Sequence, residues 1–108
     1  MGLFNFFKTK KYTFTAQVSM VIKKTRFKST IVLCTILEGQ LNKNDTVVFL
    51  DKDKNVIAAG MVSVINYNQK SVPFIEKSDK DSNTIGLEFY NVCDTPIENT
   101  EFICKKDK

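Results

Sequence analysis

Apolar residues recur at every second position in one stretch near the start of the chain. Over residues 12–22 every second position is apolar, which is the period of a strand with one buried face. The apolar set comprises Tyr12, Phe14, Ala16, Val18, Met20 and Ile22. The pattern therefore predicts one long strand whose apolar side chains all face the core.

Several later stretches also have the composition of strands. Residues 30–37 are rich in β-branched residues and apolar on both faces, which predicts a central strand. The other predicted strands cover residues 46–50, 56–67, 84–90 and 101–105. No window has the period of an amphipathic helix over ten residues or more. Short strands separated by turn residues predict a barrel or a sandwich, and 108 residues suit one domain.

The stretch between the second and third predicted strands contains one glycine and one apolar residue. Gly39 is expected to have a positive φ, because glycine reaches that conformation without a Cβ clash. Leu41 is the only apolar residue between Gly39 and Thr46, so we expect it to fold back into the core. Residues 42–45 are typical of a turn, in which Asp45 binds nearby backbone.

Residues 68–83 have no sustained period. Pro73 disfavours a strand there, and the second half of the segment is polar and charged. We therefore predict one long loop, a kind of segment that in small domains is often functional or mobile.

Three motifs now resemble a known family in their order and spacing. The first is Glu38-Gly39-Gln40-Leu41 followed by Asp45 and Val47, the second runs from Asn83 to Phe89, and the third from Ile97 to Ile103. Together they resemble the second domain of translational GTPases such as elongation factor Tu, over about residues 14–105. The resemblance implies an all-β fold, a small closed antiparallel β-barrel of about six or seven strands. It would occupy residues 12–108, after a basic and aromatic segment at residues 1–11.

The resemblance also implies a candidate pocket. In elongation factor Tu this domain helps to hold the aminoacyl end of tRNA, near the glycine–leucine corner and an acidic residue of the long loop. The matching positions here are Gly39 and Leu41, with Glu76 as the candidate acid. The chain departs from the family in lacking glycine at residues 26–29 and 99–100, and its 68–83 segment is longer.

Catalytic and metal-binding signatures are missing from the sequence. The chain has no histidine and no phosphate-cradling G-x-x-x-x-G-K-[ST] loop. Its cysteines, Cys34, Cys93 and Cys104, are odd in number and have no C-x-x-C spacing, so we expect free, buried thiols. We therefore predict no enzyme, no catalytic residues, no metal, no cofactor and no small-molecule substrate.

Positive charge is concentrated at the start of the chain. Residues 1–30 contain seven basic side chains and none of the twelve acidic ones, which favours an anionic partner. Lys23, Lys24, Arg26 and Lys28 surround Phe27, an arrangement that suits RNA because phosphates pair with lysine and bases stack on a ring. The alternative is an ordinary solvated hairpin turn in which Phe27 belongs to the core.

The amino-terminal segment offers a second candidate surface. Its aromatic residues precede a cluster of lysines: Phe4, Phe6 and Phe7, then Lys8, Lys10 and Lys11. Such a segment can dock on an anionic membrane surface. Alternatively, the phenylalanines cap an open end of the barrel or meet a partner protein. No secretory signal pattern precedes them, so we expect a cytoplasmic location.

The hypothesis from the sequence is thus a non-enzymatic binding or adaptor module. An RNA or ribonucleoprotein partner is the first expectation. The alternatives are a membrane-surface accessory protein docked through residues 1–11, or a protein–protein interaction module.

Overall fold

A computed structural model describes residues 12–24, 28–80, 82–90 and 97–106. Nine strands and no helix occur in these ranges, so the described chain has no helix that could cross a bilayer. The strands are β1 (Tyr12–Lys24), β2 (Ser29–Asn42), β3 (Thr46–Leu50), β4 (Val56–Met61), β5 (Val64–Tyr67), β6 (Lys70–Val72), β7 (Phe74–Glu76), β8 (Thr84–Phe89) and β9 (Phe102–Lys106).

All of the pairings are antiparallel and belong to one strand order. The order is β4-β3-β9-β1-β2-β8-β5-β6, and β7 pairs separately with the end of β2. The two longest strands, β1 and β2, are therefore central, with β9 on one side and β8 on the other. β2 changes neighbour along its length, since Thr30–Thr35 pair with β8 and Gln40–Asn42 pair with β7.

The sheet curls around its main core. β4 and β5 are far apart in the strand order, yet only Val62 and Ser63 connect them. From Met61 to Val64 the chain can span at most about 11 Å, so the two sides of the sheet must approach each other. The aromatic rings of β3 and β8 meet accordingly, with the centroids of Phe49 and Phe89 separated by 5.1 Å.

The closed barrel of six or seven strands is confirmed only in part. The antiparallel all-β architecture is as predicted, but nine strands are described instead of six or seven. Among the described residues no ladder joins β4 to β5 or β6, so closure is not confirmed. One extra strand arises because the predicted strand 56–67 breaks at Val62, whose amide binds the Asp45 carbonyl oxygen at 2.9 Å instead of a ladder partner.

The prediction of one long loop over residues 68–83 is wrong for its first half. Asn68 and Gln69 both have positive φ and form a two-residue turn that folds β6 back onto β5. Pro73 separates β6 from β7 instead of abolishing both. Strands of three residues are too short to show a period, and their ladders with β5 and β2 define them.

The uniform inward face predicted for residues 12–22 is wrong at both ends. Tyr12 packs against Leu50, Phe102 and Cys104 and not against the main core, and the register of β1 against β9 shifts between Tyr12 and Phe14.

The prediction is also wrong beyond Val18. The register of β1 against β2 shifts between Val18 and Met20, so that Ser19 is an extra residue. Because side chains alternate along a strand, the bulge moves Met20 and Ile22 to the outer face and turns Val21 inward. Met20 is accordingly 54% exposed, whereas Val21 packs against the core.

The glycine corner has the predicted properties. Gly39 has a φ of +91°, and it lies in β2 close to where the strand passes from β8 to β7. Leu41 is fully buried in the core. The Asp45 carboxylate accepts a hydrogen bond from the Asn42 amide at 2.7 Å and closes the turn into β3. It also forms an ion pair of 2.8 Å with Lys105 of β9.

Candidate functional site

The predicted basic surface lies at the end of the β1–β2 hairpin. Lys24 pairs with Ser29 as the last rung of the ladder, and Lys28 precedes β2 with a φ of 51°. Both lysines are exposed. Arg26 and Phe27 lie outside the described residues, so the predicted stacking ring remains a prediction.

Lys23 differs from its neighbours because it belongs to the inner face of the hairpin. It pairs with the buried Thr30, and its ammonium forms an ion pair of 2.9 Å with Glu98. The side chain of Lys23 is only 20% exposed, against 62% for Glu98. The hydrogen bond from Lys23 is the main cause that lowers the pKa of the Glu98 carboxyl. The charge of Lys23 is thus partly committed within the chain.

The three residues of the predicted pocket are neighbours in the structure. Gln40 pairs with Glu76 and Leu41 with Ile75, and the Gly39 carbonyl accepts a hydrogen bond of 3.0 Å from the Lys77 amide. Leu41 is completely buried, so it supports this region from beneath and cannot touch a ligand. Glu76 is exposed.

An open groove runs beside β7 on this side of the molecule. Its volume is about 290 Å³, and its lining consists of Tyr67, Phe74, Ile75, Glu76, Lys77, Ser78 and Ser82. Phe74 is 50% exposed, so its ring offers apolar surface to the groove. Sequence reasoning missed Tyr67 and Phe74 because the ladder that brings β7 to β2 was not predicted.

Asn83 holds the loop next to the groove in place. Its side chain accepts a hydrogen bond of 2.8 Å from the Ser78 amide and donates one of 3.0 Å to the Ser78 carbonyl. Its own carbonyl accepts the Ile36 amide of β2 at 2.8 Å. The asparagine that opens the second sequence motif therefore joins the loop to the sheet.

The two described thiols are buried and free, as predicted for them. Burial raises the pKa of Cys34 to about 12, and burial likewise raises the pKa of Cys104 to about 12. Both are protonated at neutral pH and are poor nucleophiles. Within the described ranges no three histidine, cysteine or carboxylate side chains come together as metal ligands. Cys93 lies outside those ranges.

The second candidate surface predicted from the sequence is the amino-terminal segment. Phe4, Phe6, Phe7, Lys8, Lys10 and Lys11 all lie outside the described residues. Docking of this segment on a membrane therefore stays a prediction.

The curled antiparallel sheet defines an all-β domain of a kind that a translation elongation factor contains. The chain is similar in fold to part of the bacterial selenocysteine-specific elongation factor EF-Sec, with a TM-score of 0.64 and 16% sequence identity. The match covers 96% of this chain but only 18% of that factor's chain. It confirms, at the level of fold, the resemblance to translational GTPases that the three motifs indicated. No family model and no curated protein matches the sequence.

Proposed function

We propose that the chain is a non-enzymatic binding module that contacts RNA or a ribonucleoprotein through the end of the β1–β2 hairpin. The observation that carries the proposal is the exposure of Lys24 and Lys28 on either side of the turn that holds Arg26 in the sequence. Ammonium groups held at the end of two long central strands can reach phosphates without rearrangement of the sheet. The fold likeness favours a partner from translation, although fold alone is a weak guide to function.

The charge distribution supports an anionic partner at this end. No acidic residue occurs in residues 1–30. The carboxylate of Glu98 forms an ion pair with Lys23 of this hairpin. The absence of histidine and the protonated state of both described thiols favour binding over catalysis.

Replacing the two exposed hairpin lysines tests the proposal. The double variant Lys24→Gln/Lys28→Gln should bind unfractionated tRNA or ribosomes more weakly than the wild type. If both lysines contact phosphates, the slope of log K against log salt should fall by about 0.7–0.9 per lysine. Fluorescence anisotropy over a range of salt concentrations measures both quantities.

A matched control removes the same charge elsewhere. Lys70 of β6 and Lys80 in the loop between β7 and β8 are exposed. β6 is the last strand of the order, and β8 begins opposite Thr35, away from the hairpin end of β2. Lys70→Gln/Lys80→Gln should leave the affinity within about twofold of the wild type, since distant exposed charges are largely screened. Equal weakening by both double variants, or no binding by the wild type, would reject the hairpin as the RNA-binding site.

The groove beside β7 is a second candidate binding site. An exposed ring at Phe74 lies beside the carboxylate of Glu76, and the family resemblance implies that an aminoacyl group would be held in this region. The site could therefore receive the end of an RNA-linked ligand that pairs an apolar group with a cation.

Substitutions in the groove separate this site from the hairpin. Phe74→Ala and Glu76→Gln should reduce binding of aminoacylated tRNA more than binding of the same tRNA without its amino acid. A competition assay with the two forms measures the preference. No preference in the wild type would remove the groove from consideration while leaving the hairpin proposal intact.

A further inference from the structure

The outer face of β2 is apolar, although it points away from the main core. Val32 points into that core, so the alternating neighbours Ile31 and Leu33 point outward. A Cβ built on Gly86 of β8 would lie 3.5 Å from Leu33 and 3.9 Å from Ile31, which places both side chains on this face. Residues 30–37 are apolar on both faces in the sequence, so one apolar face of β2 lies outside the core.

β1 extends this apolar surface on one side. Met20 pairs with Leu33 and Ile22 pairs with Ile31, so two apolar cross-strand pairs lie next to each other on the outer face. Met20 is 54% exposed, and the other three side chains are partly exposed. The outer patch, defined as Met20, Ile22, Ile31 and Leu33, is therefore a contiguous apolar surface that is open to solvent.

Opposite charges border the outer patch on its two sides. Lys24 follows Ile22 by two positions in β1, so it lies on the same face, and it is exposed. Glu88 of β8 pairs with Ile31 from the other side of β2. Both chain neighbours of Glu88 belong to the main core, so its own side chain points outward, where it accepts a hydrogen bond of 2.6 Å from the Tyr90 hydroxyl. The patch thus has a positive charge on its β1 side and a negative charge on its β8 side.

Other charged residues of the hairpin region lie off the outer patch. Lys23 is on the inner face of the hairpin and forms its ion pair with Glu98. Lys28 is exposed in the turn, beyond the last pair of the β1–β2 ladder. Glu101 lies at the opposite edge of β1, where its carbonyl accepts the Val18 amide at 2.9 Å. Lys24 and Glu88 are therefore the charges that decide what the patch can bind.

We propose that two copies of the chain pack through their outer patches around a two-fold axis that runs close to β2. β1 and β8 lie on opposite sides of β2 at similar spacings, so this axis sets β1 of one copy against β8 of the other. Ile31 and Leu33 then meet their own counterparts. Lys24 of each copy approaches Glu88 of the other copy, so the surface is complementary to itself in charge as well as in apolar character.

Glu88 favours a second copy over an anionic occupant. The phosphates of RNA or the headgroups of an anionic membrane would meet this carboxylate with like charge, whereas a second copy provides Lys24 as its counter-charge. Four apolar side chains make a small interface, which suits a weak dimer with a Kd on the order of 10–100 µM. The inference does not depend on the proposed RNA-binding site. Lys24 is common to both, but Met20 and Glu88 belong to the dimer alone.

The dependence of the mass on concentration tests the proposal. Sedimentation velocity of the full-length chain between about 2 and about 500 µM should show a monomer that becomes a dimer. Met20→Lys should weaken the dimer by about tenfold or more, because it places an ammonium group in the apolar interface. A wild type that stays monomeric, or a dimer that Met20→Lys leaves unchanged, overturns the proposal.

Val56→Lys is the matched control, because it adds the same charge at another exposed apolar residue. Val56 is 59% exposed and belongs to β4, at the end of the strand order. The Kd of this variant should stay within about twofold of the wild type, since distant substitutions act independently. Equal weakening by Val56→Lys and Met20→Lys would mean that net charge, and not the outer patch, controls association, and it would overturn the proposal.

Charge reversal tests the two-fold arrangement. Lys24→Glu and Glu88→Lys should each weaken the dimer by about threefold to tenfold, because each sets like charges against each other. The double variant Lys24→Glu/Glu88→Lys restores opposite charges and should return the Kd to within about threefold of the wild type. Lys28→Gln should not weaken the dimer, because Lys28 lies beyond the patch. Failure of the double variant to recover overturns the arrangement.

Contacts between wild-type chains cover the case in which a variant unfolds. In a mixture of isotope-labelled and unlabelled chains at about 500 µM, isotope-filtered nuclear Overhauser effects should connect the methyl groups of Ile31 and Leu33 across the two copies. Contacts confined to other strands overturn the proposal. A monomeric wild type whose binding to tRNA or to phosphatidylglycerol vesicles falls on Met20→Ser would assign the patch to RNA or lipid, and it would overturn the proposal too.

Discussion

The missing side chain of Gly39 leaves room for the backbone of the neighbouring strand. A Cβ built on Gly39 would lie 1.9 Å from the carbonyl oxygen of Thr13, and the φ of +91° is one that other residues adopt only with strain. Both obstacles are backbone features, so no side-chain rotation relieves them. Two independent features therefore require glycine at this position: the close approach of β1 and the positive φ.

Alanine substitution at Gly39 and at Gly86, two of the glycines in the sheet, should give unequal results. Gly39→Ala should lower the free energy of unfolding by more than about 2 kcal/mol, because the Cβ clashes and the positive φ is strained. Gly86→Ala is the control, since its Cβ would meet the Leu33 side chain at an ordinary 3.5 Å. It should change stability by less than about 1 kcal/mol. Urea unfolding followed by circular dichroism measures both, and similar costs would contradict the argument.

The roles of some residues were predictable from neighbouring residues in the sequence, whereas roles that depend on long-range contacts were not. The positive φ of Gly39, the burial of Leu41 and the turn-closing role of Asp45 follow from short stretches of sequence. The ion pair between Lys23 and Glu98 does not, because it joins positions remote in the chain. A run of lysines looks uniform in the sequence, yet only the strand register assigns Lys23 inward and Lys24 outward.

At the scale of the element, the bulge in β1 changes which of its residues face the core. From Phe14 to Val18 the inward positions are those that strict alternation predicts, whereas Tyr12 packs outside the main core. After Ser19 the inward position is Val21, which pairs with the fully buried Val32. Met20, Val21 and Ile22 are all apolar in the sequence, so the pattern alone could not decide which of them faces the core.

The bulge predicts an unequal effect of substituting two adjacent residues. Met20→Thr should change the free energy of unfolding by about 0.5 kcal/mol or less, since Met20 is 54% exposed. Val21→Thr should cost about 1 kcal/mol or more, because it places a hydroxyl against the core. Both replacements keep or add β-branching, so strand propensity does not decide the comparison. Thermal and urea unfolding test it, and a larger cost at Met20 would show that the register shift is absent.

Strand existence was more predictable than strand partnership. The apolar runs gave β1, β2, β3, β8 and β9, while β6 and β7 went unseen and one predicted strand divides into β4 and β5. A strand of three residues carries no usable period, and a break depends on which carbonyl captures the Val62 amide. The groove beside β7 was only partly foreseen for the same reason.

At the scale of the whole molecule, the strands differ in how many neighbours protect them. β2 lies between β1 and β8, whereas β4 and β6 end the strand order among the described residues. Backbone amides in strands with a neighbour on each side open less readily than those at an edge. The stability of the sheet should therefore decrease from the centre outward.

Hydrogen exchange should reveal this gradient. We expect the amides of Val32–Ile36 to exchange more slowly than those of Lys70–Val72 by about two orders of magnitude or more. Exchange followed by mass spectrometry or NMR at neutral pH gives the comparison. Equal protection of β6 and β2 would mean that β6 has a further neighbour, which would favour a closed barrel.

The fold of the whole molecule was predictable in class because strand-like runs alternate with turn residues along the chain and three motifs follow one another in a family-like order. The fold match to an elongation factor holds although the sequence identity is only 16%. The closure of the sheet was not predictable, since closure depends on how the last strands meet across the curl. The match covers only 18% of that factor's chain, so the proposed function rests on the surface of this chain. The hairpin lysines are the part of that surface that the sequence identified.

Val62 and Ser63 form a two-residue connection between two strands that are far apart in the strand order, β4 and β5. The short connection keeps β4 close to β5. The Val62 side chain is fully buried, and the Ser63 amide donates a hydrogen bond of 2.8 Å to the Glu88 carbonyl. The curvature of the sheet is therefore limited by the length of this connection as well as by side-chain packing. Inserting residues into this connection should let the sheet open without removing any of its strand pairings.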